Sequence, residues 1–383
     1  MQDQHLPYDT NEVGFFNENL EELFGRKLLE EPSRESTNFY QGKKILITGA
    51  AGSIGTALCH RIVQSEAHQL ILFDQNESGL HDLYYDLSFA NPDIELQLIV
   101  GNVAQAAQVK KVFEKFRPEI VFHAAAYKHV PLMELQPAVA FHSNMLGTKV
   151  MADMAAKSHV EQFVFISSDK AIAPAGVLGA TKRFGELYMQ YISSKSHSNC
   201  SFITCRFGNV LNSNGSVLPL LRKQLKRNIP LTISHPDATR YFMTLEEAST
   251  FLYESVYLGG DSDVLFFDMG KQVRVLDLAE WLISKYKIEN PSRSVEIKFT
   301  GLRPGEKLTE EKLELNEQTQ QTRNSQIFKL KNADLNGTLT SEKVSELMTL
   351  VGKFDDNEVV NFIRSVVPLN FGNQKPSELI EYI

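Results

Sequence analysis

Side chains able to transfer protons are concentrated in residues 167–182, which read SSDKAIAPAGVLGATK. The apolar run Phe163–Ile166 just before them predicts a buried strand. That strand would end at Ser168, Asp169 and Lys170, so that a hydroxyl, a carboxylate and an amine lie side by side. A positioned acid and base of this kind are what proton transfer beside a redox step requires.

A second amine, Lys182, follows twelve positions after Lys170, where the sequence predicts the beginning of a helix. Leu178 stands four positions before Lys182 and has no proton to give or to accept. The segment therefore predicts an enzyme that moves protons beside a redox step, with one usual acid/base residue missing.

The elements that must position these residues are alternating strands and helices from Lys44 onward. The predicted strands are Lys44–Thr48, Leu70–Asp74, Leu96–Val100, Ile120–His123, Phe163–Ser167 and Phe202–Arg206. Helices are predicted between them, the longest over Pro137–Ser158 and Gly179–Ser194. Repeated units of this length predict an α/β fold with a Rossmann-type, doubly wound parallel sheet.

The loop after the first predicted strand reads TGAAGSIG and carries three glycines. Gly49 allows a tight turn, Gly52 lets the backbone approach a pyrophosphate, and Gly55 lets the next helix pack on the sheet. That helix begins with Ser53 and Ile54 and would offer free N–H groups to phosphates. The loop therefore predicts a dinucleotide site.

Asp74 ends the second predicted strand, where an acidic residue hydrogen-bonds the adenosine ribose. No Lys or Arg follows it in residues 75–77, so nothing is placed to meet a 2′-phosphate, and NAD is predicted in preference to NADP. Further cofactor contacts are predicted after the third and fourth strands, at Asn102, Val103, Ala124, Ala125 and Ala126.

Composition excludes several other classes of protein. The 383 residues carry a net charge of −8, which argues against a general nucleic-acid binder. Cys59, Cys200 and Cys205 lack the spacing of a metal site, so no metal is predicted. No run approaches the roughly 18 apolar residues of a membrane span, and the N-terminus lacks the pattern of a signal peptide. A cytoplasmic protein is expected.

The glycine loop together with residues 167–182 resembles the extended short-chain dehydrogenase/reductase family. Four further segments resemble its polysaccharide-biosynthesis branch of UDP-N-acetylglucosamine 4,6-dehydratases: Lys128–Pro137, Arg206–Leu220, Asp237–Thr244 and Phe299–Glu311. The similarity covers about Leu20 to Leu313. It implies an internal redox cycle in which C4 is oxidised with NAD⁺, water is lost across C5 and C6, and the hydride returns to C6.

The resemblance also assigns roles to the proton-transferring residues. Asp169 would protonate the departing C6 hydroxyl, Lys170 would be the base at C5, and Lys182 would hold the nicotinamide ribose. Asp169 must then be protonated and Lys170 neutral in part of the population, so both pKa values are expected to shift. Since Leu178 replaces the usual tyrosine, the O4 proton would pass to Asp169, to Lys182 or to a water ordered by Ser168.

Substrate contacts are expected from polar residues in the motifs and, by the resemblance, from Asn144 on the long predicted helix. Arg240 and Arg303 suit the UDP diphosphate because guanidinium groups match phosphate oxygens. The expected set is Lys128, Asn144, Asn209, Arg240, Arg303 and Glu306.

Four parts of the chain are predicted. Residues 1–40, with an amphipathic candidate helix at Phe15–Leu29, form an arm outside the first core. Residues 41–208 form the NAD-binding Rossmann domain, whose sheet is completed by later segments. Residues 209–315 form a smaller UDP-sugar-binding domain, and residues 316–383 form a C-terminal helical extension.

Three alternatives remain open beside a dehydratase that retains the C5 configuration, which relatives lacking the tyrosine favour. They are a C5-inverting dehydratase, a UDP-HexNAc 4-epimerase and a non-catalytic NAD-binding regulator. A homo-oligomer, dimer or higher, is expected by analogy with the fold.

Overall fold

The computed structural model describes residues 20–29, 31–91, 93–195, 199–331 and 339–367. Within them, nine strands form the main sheet: β1 Lys44–Thr48, β2 Gln69–Asp74, β3 Glu95–Val100, β4 Ile120–His123, β5 Gln162–Ile166, β6 Ser201–Arg206, β11 Val264–Phe267, β14 Gln318–Gln321 and β15 Ile327–Lys331. Their order is β14-β15-β11-β6-β5-β4-β1-β2-β3. All neighbours are parallel except β15, which runs antiparallel to both β11 and β14.

The central strands are apolar along their whole length because helices cover both faces of the sheet. Leu46 belongs to the core on one face, and Ile45 and Ile47 belong to the core on the other. The chain order reverses between β1 and β4, which leaves a crevice at the carboxyl ends of the strands. The predicted doubly wound parallel sheet is confirmed.

Helices connect these strands or cover the faces of the sheet. They are α1 Leu20–Phe24, α2 Arg34–Phe39, α3 Ser53–Val63, α4 Glu77–Ala90, α5 Ala106–Phe116, α6 Val130–Leu135, α7 Pro137–Ala140, α8 Gly147–Ala156, α9 Val177–Lys195, α10 Val217–Lys226, α11 Leu245–Leu258, α12 Val275–Glu289, α13 Ser341–Thr349 and α14 Asp356–Val366.

The long helix predicted over Pro137–Ser158 is not one α-helix. A π-helical segment, Phe141–Leu146, separates α7 from α8. It widens the helix where Asn144 is fully buried. Insertions of this kind occur often beside functional sites.

The N-terminal segment packs closely on the domain. Phe24 is buried in the smaller core, and the ring of Tyr40 is fully buried and stacks on Tyr253 at 4.1 Å between centroids. The prediction of an arm outside the first core is therefore wrong for Tyr40, because its ring completes the packing of α11. The candidate helix Phe15–Leu29 is seen only as α1, and its residues 15–19 lie outside the described residues.

The C-terminal extension is not helical throughout. Residues 318–331 form β14 and β15, which extend the main sheet next to β11. Ile327 and Leu330 of β15 are buried in the main core, whereas the polar strand β14 pairs with β15 at the edge of the sheet and is mostly exposed. Helices α13 and α14 follow, and residues 368–383 lie outside the described residues.

The smaller substrate-side region has its own core, built mainly from α10 and α12. Three short strand pairs brace it: β7 Asn209–Val210 with β10 Phe242–Met243, β9 Thr239–Arg240 with β12 Val273–Arg274, and β8 Leu231–Ile233 with β13 Ile297–Phe299. Among the described residues, no helix is long and apolar enough to cross a membrane. The same part of the chain shows no cluster of metal-binding side chains.

Candidate active site

The glycine loop between β1 and α3 has the shape of a phosphate cradle. Gly49 has φ +68°, and a Cβ there would lie 2.7 Å from the backbone nitrogen of Ala125. A Cβ on Gly55 would lie 2.1 Å from the carbonyl oxygen of Gly49. No side chain caps the beginning of α3 at Gly52, so its first N–H groups remain available to an anion.

Ser53 and Ile54, at the beginning of α3, have different roles. The hydroxyl oxygen of Ser53 accepts a hydrogen bond of 2.9 Å from the backbone N–H of Asn214, which ties the loop to the substrate side. Ile54 packs against the core beneath α3.

Asp74 ends β2 next to this loop. One carboxylate oxygen accepts the N–H of Ala51 at 3.0 Å and the other accepts the N–H of Asn76 at 2.9 Å. Each oxygen keeps further acceptor capacity, so the carboxylate both fixes the loop and remains able to meet a ribose hydroxyl.

The small residues after β4 lie against the same loop. The backbone N–H of Ala124 donates to the carbonyl of Thr48 at 3.1 Å, and the backbone N–H of Ala125 donates to the hydroxyl of Thr48 at 3.3 Å. Ala126 continues this segment. After β3, Asn102 accepts the N–H of Ala104 at 2.8 Å, while Val103 is buried.

The acid and the base predicted after β5 are in direct contact. The Nζ of Lys170 donates to Oδ1 of Asp169 and to Oδ1 of Asn209, each at 3.0 Å. The hydroxyl of Ser168 also donates to Oδ1 of Asp169, at 2.9 Å. Oδ2 of Asp169 is buried and has no hydrogen-bond partner.

Glu310 completes this cluster and was missed at the sequence level. It is buried, and its Oε1 lies 3.4 Å from Nζ of Lys170. The acidic residue in the motif segment Phe299–Glu311 was a possible signal, but nothing in the sequence indicated that Glu310, 140 positions away, would reach Lys170.

The charge of Lys170 differs from the expectation. Burial alone would lower the pKa of Lys170, but attraction to Asp169 and Glu310 outweighs burial and raises that pKa. The expected downward shift is therefore wrong for this arrangement, because two carboxylates share one ammonium group.

Lys182 lies on α9 beside the end of β5. Its Nζ donates to the carbonyl of Ile166 at 2.9 Å and lies 5.3 Å from the ring centroid of Phe165. Burial lowers the pKa of Lys182 to about 8. Leu178, in the first turn of α9, is buried. The amine of Lys182 is therefore close to the protonation balance that a proton carrier needs at neutral pH.

A small open cleft joins three of the motif segments. Its walls are Val130, Lys170, Ala175, Gly176, Gly179, Gly305, Lys307 and Glu310. Glu134 lies behind this cleft and accepts the N–H of Val177 at 2.6 Å, which fixes the beginning of α9. Burial raises the pKa of Glu134 to about 7. Glu134 was also not anticipated.

The residues predicted to bind substrate fall into three groups. Asn209 and Arg240 join the buried cluster, where Arg240 donates to the carbonyls of Thr239 and Leu308 at 2.7 and 3.1 Å. Asn144 instead joins the π-helical segment to the loop after β4, since its side chain bonds both backbone groups of Tyr127.

The remaining predicted contacts lie on the rim. Arg303 is exposed and pairs with Glu306, and Lys128 donates to the hydroxyl of Ser213 at 3.2 Å. Burial and the nearby charges of Lys128 and Arg303 lower the pKa of His129, so two cations lie near its ring. Direct contact with substrate stays a prediction for all six residues.

Comparison with known proteins agrees with this geometry. Residues 45–332 match the family model described as polysaccharide biosynthesis protein. The chain belongs to this family. It is the polysaccharide-biosynthesis branch of the extended short-chain dehydrogenases/reductases, so the predicted resemblance is confirmed at that level.

Relatives of this family member differ in what their names state. The chain is 42% identical over 300 residues to "Probable polysaccharide biosynthesis protein EpsC" of Bacillus subtilis, covering 78% of the chain and 49% of the relative. It thus spans about half the length of that protein. It is 32% identical over 270 residues to "UDP-glucose 4-epimerase" of Rickettsia canadensis, covering 69% of the chain and 76% of the relative.

A solved structure supports the fold. Pen from Bacillus thuringiensis superposes with a TM-score of 0.69 at 28% identity, covering 79% of this chain and 90% of Pen.

Proposed function

We propose that the protein is an NAD-dependent UDP-N-acetylglucosamine 4,6-dehydratase. The observation that carries the proposal is the contact between Asp169 and Lys170 at the end of β5. A carboxyl and an amine at this place suit elimination across C5 and C6, because one can protonate the leaving hydroxyl while the other removes the C5 proton. Oδ2 of Asp169 supports this role, since it is buried without a hydrogen-bond partner and would gain one from a substrate hydroxyl.

The glycine loop fits NAD. The backbone around Gly49 leaves no room for a side chain, which lets a pyrophosphate approach the uncapped beginning of α3. Asp74 is placed for ribose hydroxyls, and the residues after it carry no cation. NAD, when bound, supplies the hydride acceptor for C4 and the hydride donor for C6.

The protein side chains would then manage the protons. Lys182 holds the nicotinamide ribose and places its amine, with its pKa near 8, beside the reacting centre. Asp169 delivers a proton to the departing C6 hydroxyl, and Lys170 removes the C5 proton. Since Leu178 carries no proton, the O4 proton passes to one of these polar groups or to a water held by Ser168.

The UDP portion would bind on the basic rim. Lys128 and Arg303 face the same histidine, and Lys307 lines the cleft that leads to Lys170. Cations held in this way attract a diphosphate. The buried guanidinium of Arg240 adds positive charge near Lys170 and Glu310.

A 4-epimerase is the second candidate, because a relative at 32% identity carries that name. It requires no acid at C6 and no base at C5, so it would leave the Asp169–Lys170 pair without a task. A non-catalytic NAD-binding regulator is a third candidate and would leave the pair without chemistry altogether.

The product formed from UDP-N-acetylglucosamine separates these candidates. A dehydratase yields a nucleotide sugar lighter by one water, which mass spectrometry detects directly. An epimerase yields a product of unchanged mass, and a regulator yields none; either result with the purified protein and added NAD⁺ would overturn the proposal. NMR of the product would then assign retention or inversion at C5.

A further inference from the structure

A hydrogen bond to its backbone holds Glu310 at the buried end of the cleft. Its carbonyl accepts a hydrogen bond of 2.6 Å from the side-chain amide of Gln272. Its carboxylate is buried, and Oε2 has no hydrogen-bond partner. The Nζ of Lys307 lies 3.9 Å from Oε2, beyond hydrogen-bond distance.

Two carboxylates therefore share the ammonium group of Lys170. Asp169 lies at 3.0 Å and Glu310 at 3.4 Å from its Nζ. Each carboxylate also has one buried oxygen without a partner. A buried carboxylate oxygen without a donor is costly, and protonation of the carboxyl relieves that cost.

The proposed dehydration makes two demands on this cluster at the same moment. Asp169 must carry a proton for the C6 hydroxyl, and Lys170 must be neutral to accept the C5 proton. If Asp169 obtains its proton from O4, it has no place for the proton of Lys170. A second acceptor in contact with Lys170 is then required.

We propose that Glu310 is a positioning residue that acts through Lys170, taking its ammonium proton before C5 is deprotonated and returning it afterwards. In the first transfer an N–H bond of Lys170 breaks and an O–H bond forms on Glu310. Neutral Lys170 then takes the C5 proton, and the resulting ammonium group, whose protons exchange with solvent, later returns one proton to C5. The proton on Glu310 finally moves back to Lys170, so the cluster ends as it began. This inference rests on the proposed function.

The electrostatics of the cluster support such a transfer. Burial, followed by the charge of Asp169, raises the pKa of Glu310, while Lys170, Arg240 and Lys307 oppose that rise. The Lys170 side chain is 23% exposed. A substrate that covers it removes water, and lower local polarity favours the neutral amine and carboxyl over the ion pair.

The test compares Glu310→Gln with Glu311→Gln. Both variants remove one carboxylate from adjacent positions, but the side chain of Glu311 is 49% exposed and pairs with Lys307 alone. Three quantities are measured with UDP-N-acetylglucosamine and NAD⁺: the absorbance of reduced nicotinamide, the rate of deuterium entry at C5 from heavy water, and kcat against KM. Thermal unfolding confirms that each variant is folded.

For Glu310→Gln we expect slower C5 exchange and a kcat lower by about 10²-fold, the smaller end of general-base effects. Reduction of the nicotinamide and KM should stay within twofold, and Glu310→Asp should restore part of the exchange. Glu311→Gln should match the wild type. Equal exchange rates in both variants would overturn the inference, as would loss of nicotinamide reduction together with C5 exchange.

A measurement that needs no turnover is available if the activity of a variant is too low for kinetics. Competitive acylation of lysines, read by mass spectrometry across pH, reports the pKa of Lys170 in the free protein. Removal of the Glu310 charge should lower that pKa, and an unchanged value would contradict the inference. If the wild type itself forms no dehydrated product, the proposed function fails, whereas a normal wild type with an unaffected Glu310→Gln variant refutes only the role of Glu310.

Discussion

The two ends of the candidate site are built in different ways. At the cofactor end, seven consecutive residues from Gly49 to Gly55 form a cradle largely out of backbone, and close packing leaves no space for a Cβ at Gly49 or Gly55. At the proton end, Asp169 and Lys170 meet Asn209, Arg240 and Glu310, which come from separate elements. The cofactor end therefore depends on shape, and the proton end depends on the balance of charges between distant segments.

Replacement of Asp169 by Asn tests the proton end most severely. We expect kcat to fall by about 10²–10⁴-fold, because the acid for the C6 hydroxyl is lost, while the isosteric amide keeps the fold. Asp268→Asn is the matched control, since Asp268 follows β11 at the same edge of the sheet and also pairs with a lysine, Lys312, at 3.0 Å. In dehydration assays the kcat of Asp268→Asn should stay within twofold of the wild type. An equal loss of kcat in both variants would show that the effect is structural.

Replacement of Gly49 by Ala tests the cofactor end. Gly42 has a similar φ of +71° but open space around it, so Gly42→Ala isolates the backbone strain. We expect Gly42→Ala to cost about 1–2 kcal/mol of unfolding free energy. Gly49→Ala should cost roughly 1–3 kcal/mol more through the overlap with Ala125 and should lose NAD binding. Urea unfolding measures the loss of stability, and nucleotide titration measures NAD binding. Equal losses of unfolding free energy in the two variants would contradict the close packing around Gly49.

These residues also show how far sequence reasoning reaches. The glycine loop and the Asp169–Lys170 pair were predictable because each is written in consecutive positions whose spacing has a physical meaning. Glu310 was not, because its partner is fixed only by the packing of the substrate-side region. The π-helical segment around Asn144 and the strands at 318–331 were mispredicted for a related reason, since Asn144 bonds Tyr127 and β15 pairs with β11, partners that the local sequence does not indicate.

Glu134 offers a pH test of the proton end. Its pKa of about 7 in the folded protein exceeds the ordinary 4.5, so the folded state binds the proton more tightly than the unfolded state between these values. Stability from Glu134 is thus largest below about pH 4.5 and falls as the pH rises to about 7. Relative to Glu134→Gln, the wild type should lose on the order of 3 kcal/mol of unfolding free energy over this range. The unfolding free energy of both proteins is measured by urea unfolding at each pH. If it changes with pH in the same way for the wild type and for Glu134→Gln, the raised pKa of Glu134 is contradicted.

Asp74 should give the smallest effect. Asp74→Asn keeps an oxygen for the N–H of Ala51 but weakens the bond to the ribose, so NAD affinity should fall about tenfold, as expected for loss of a charged acceptor. The preference for NAD over NADP should narrow as well. Calorimetric titration measures the affinities for NAD and for NADP. Asp82→Asn on α4, where the side chain is exposed, is the control. Unchanged NAD affinity would remove Asp74 from the cofactor site.

The central claim is that this site eliminates water from a UDP-sugar by proton transfer at C5. The most direct measurement is incubation of the protein with UDP-N-acetylglucosamine and NAD⁺ in heavy water, followed by NMR of the product. We expect a 4-keto-6-deoxy sugar that carries deuterium at C5, formed by the wild type and not by Asp169→Asn. A sugar inverted at C4 with protium at C5, or unreacted substrate, would contradict it.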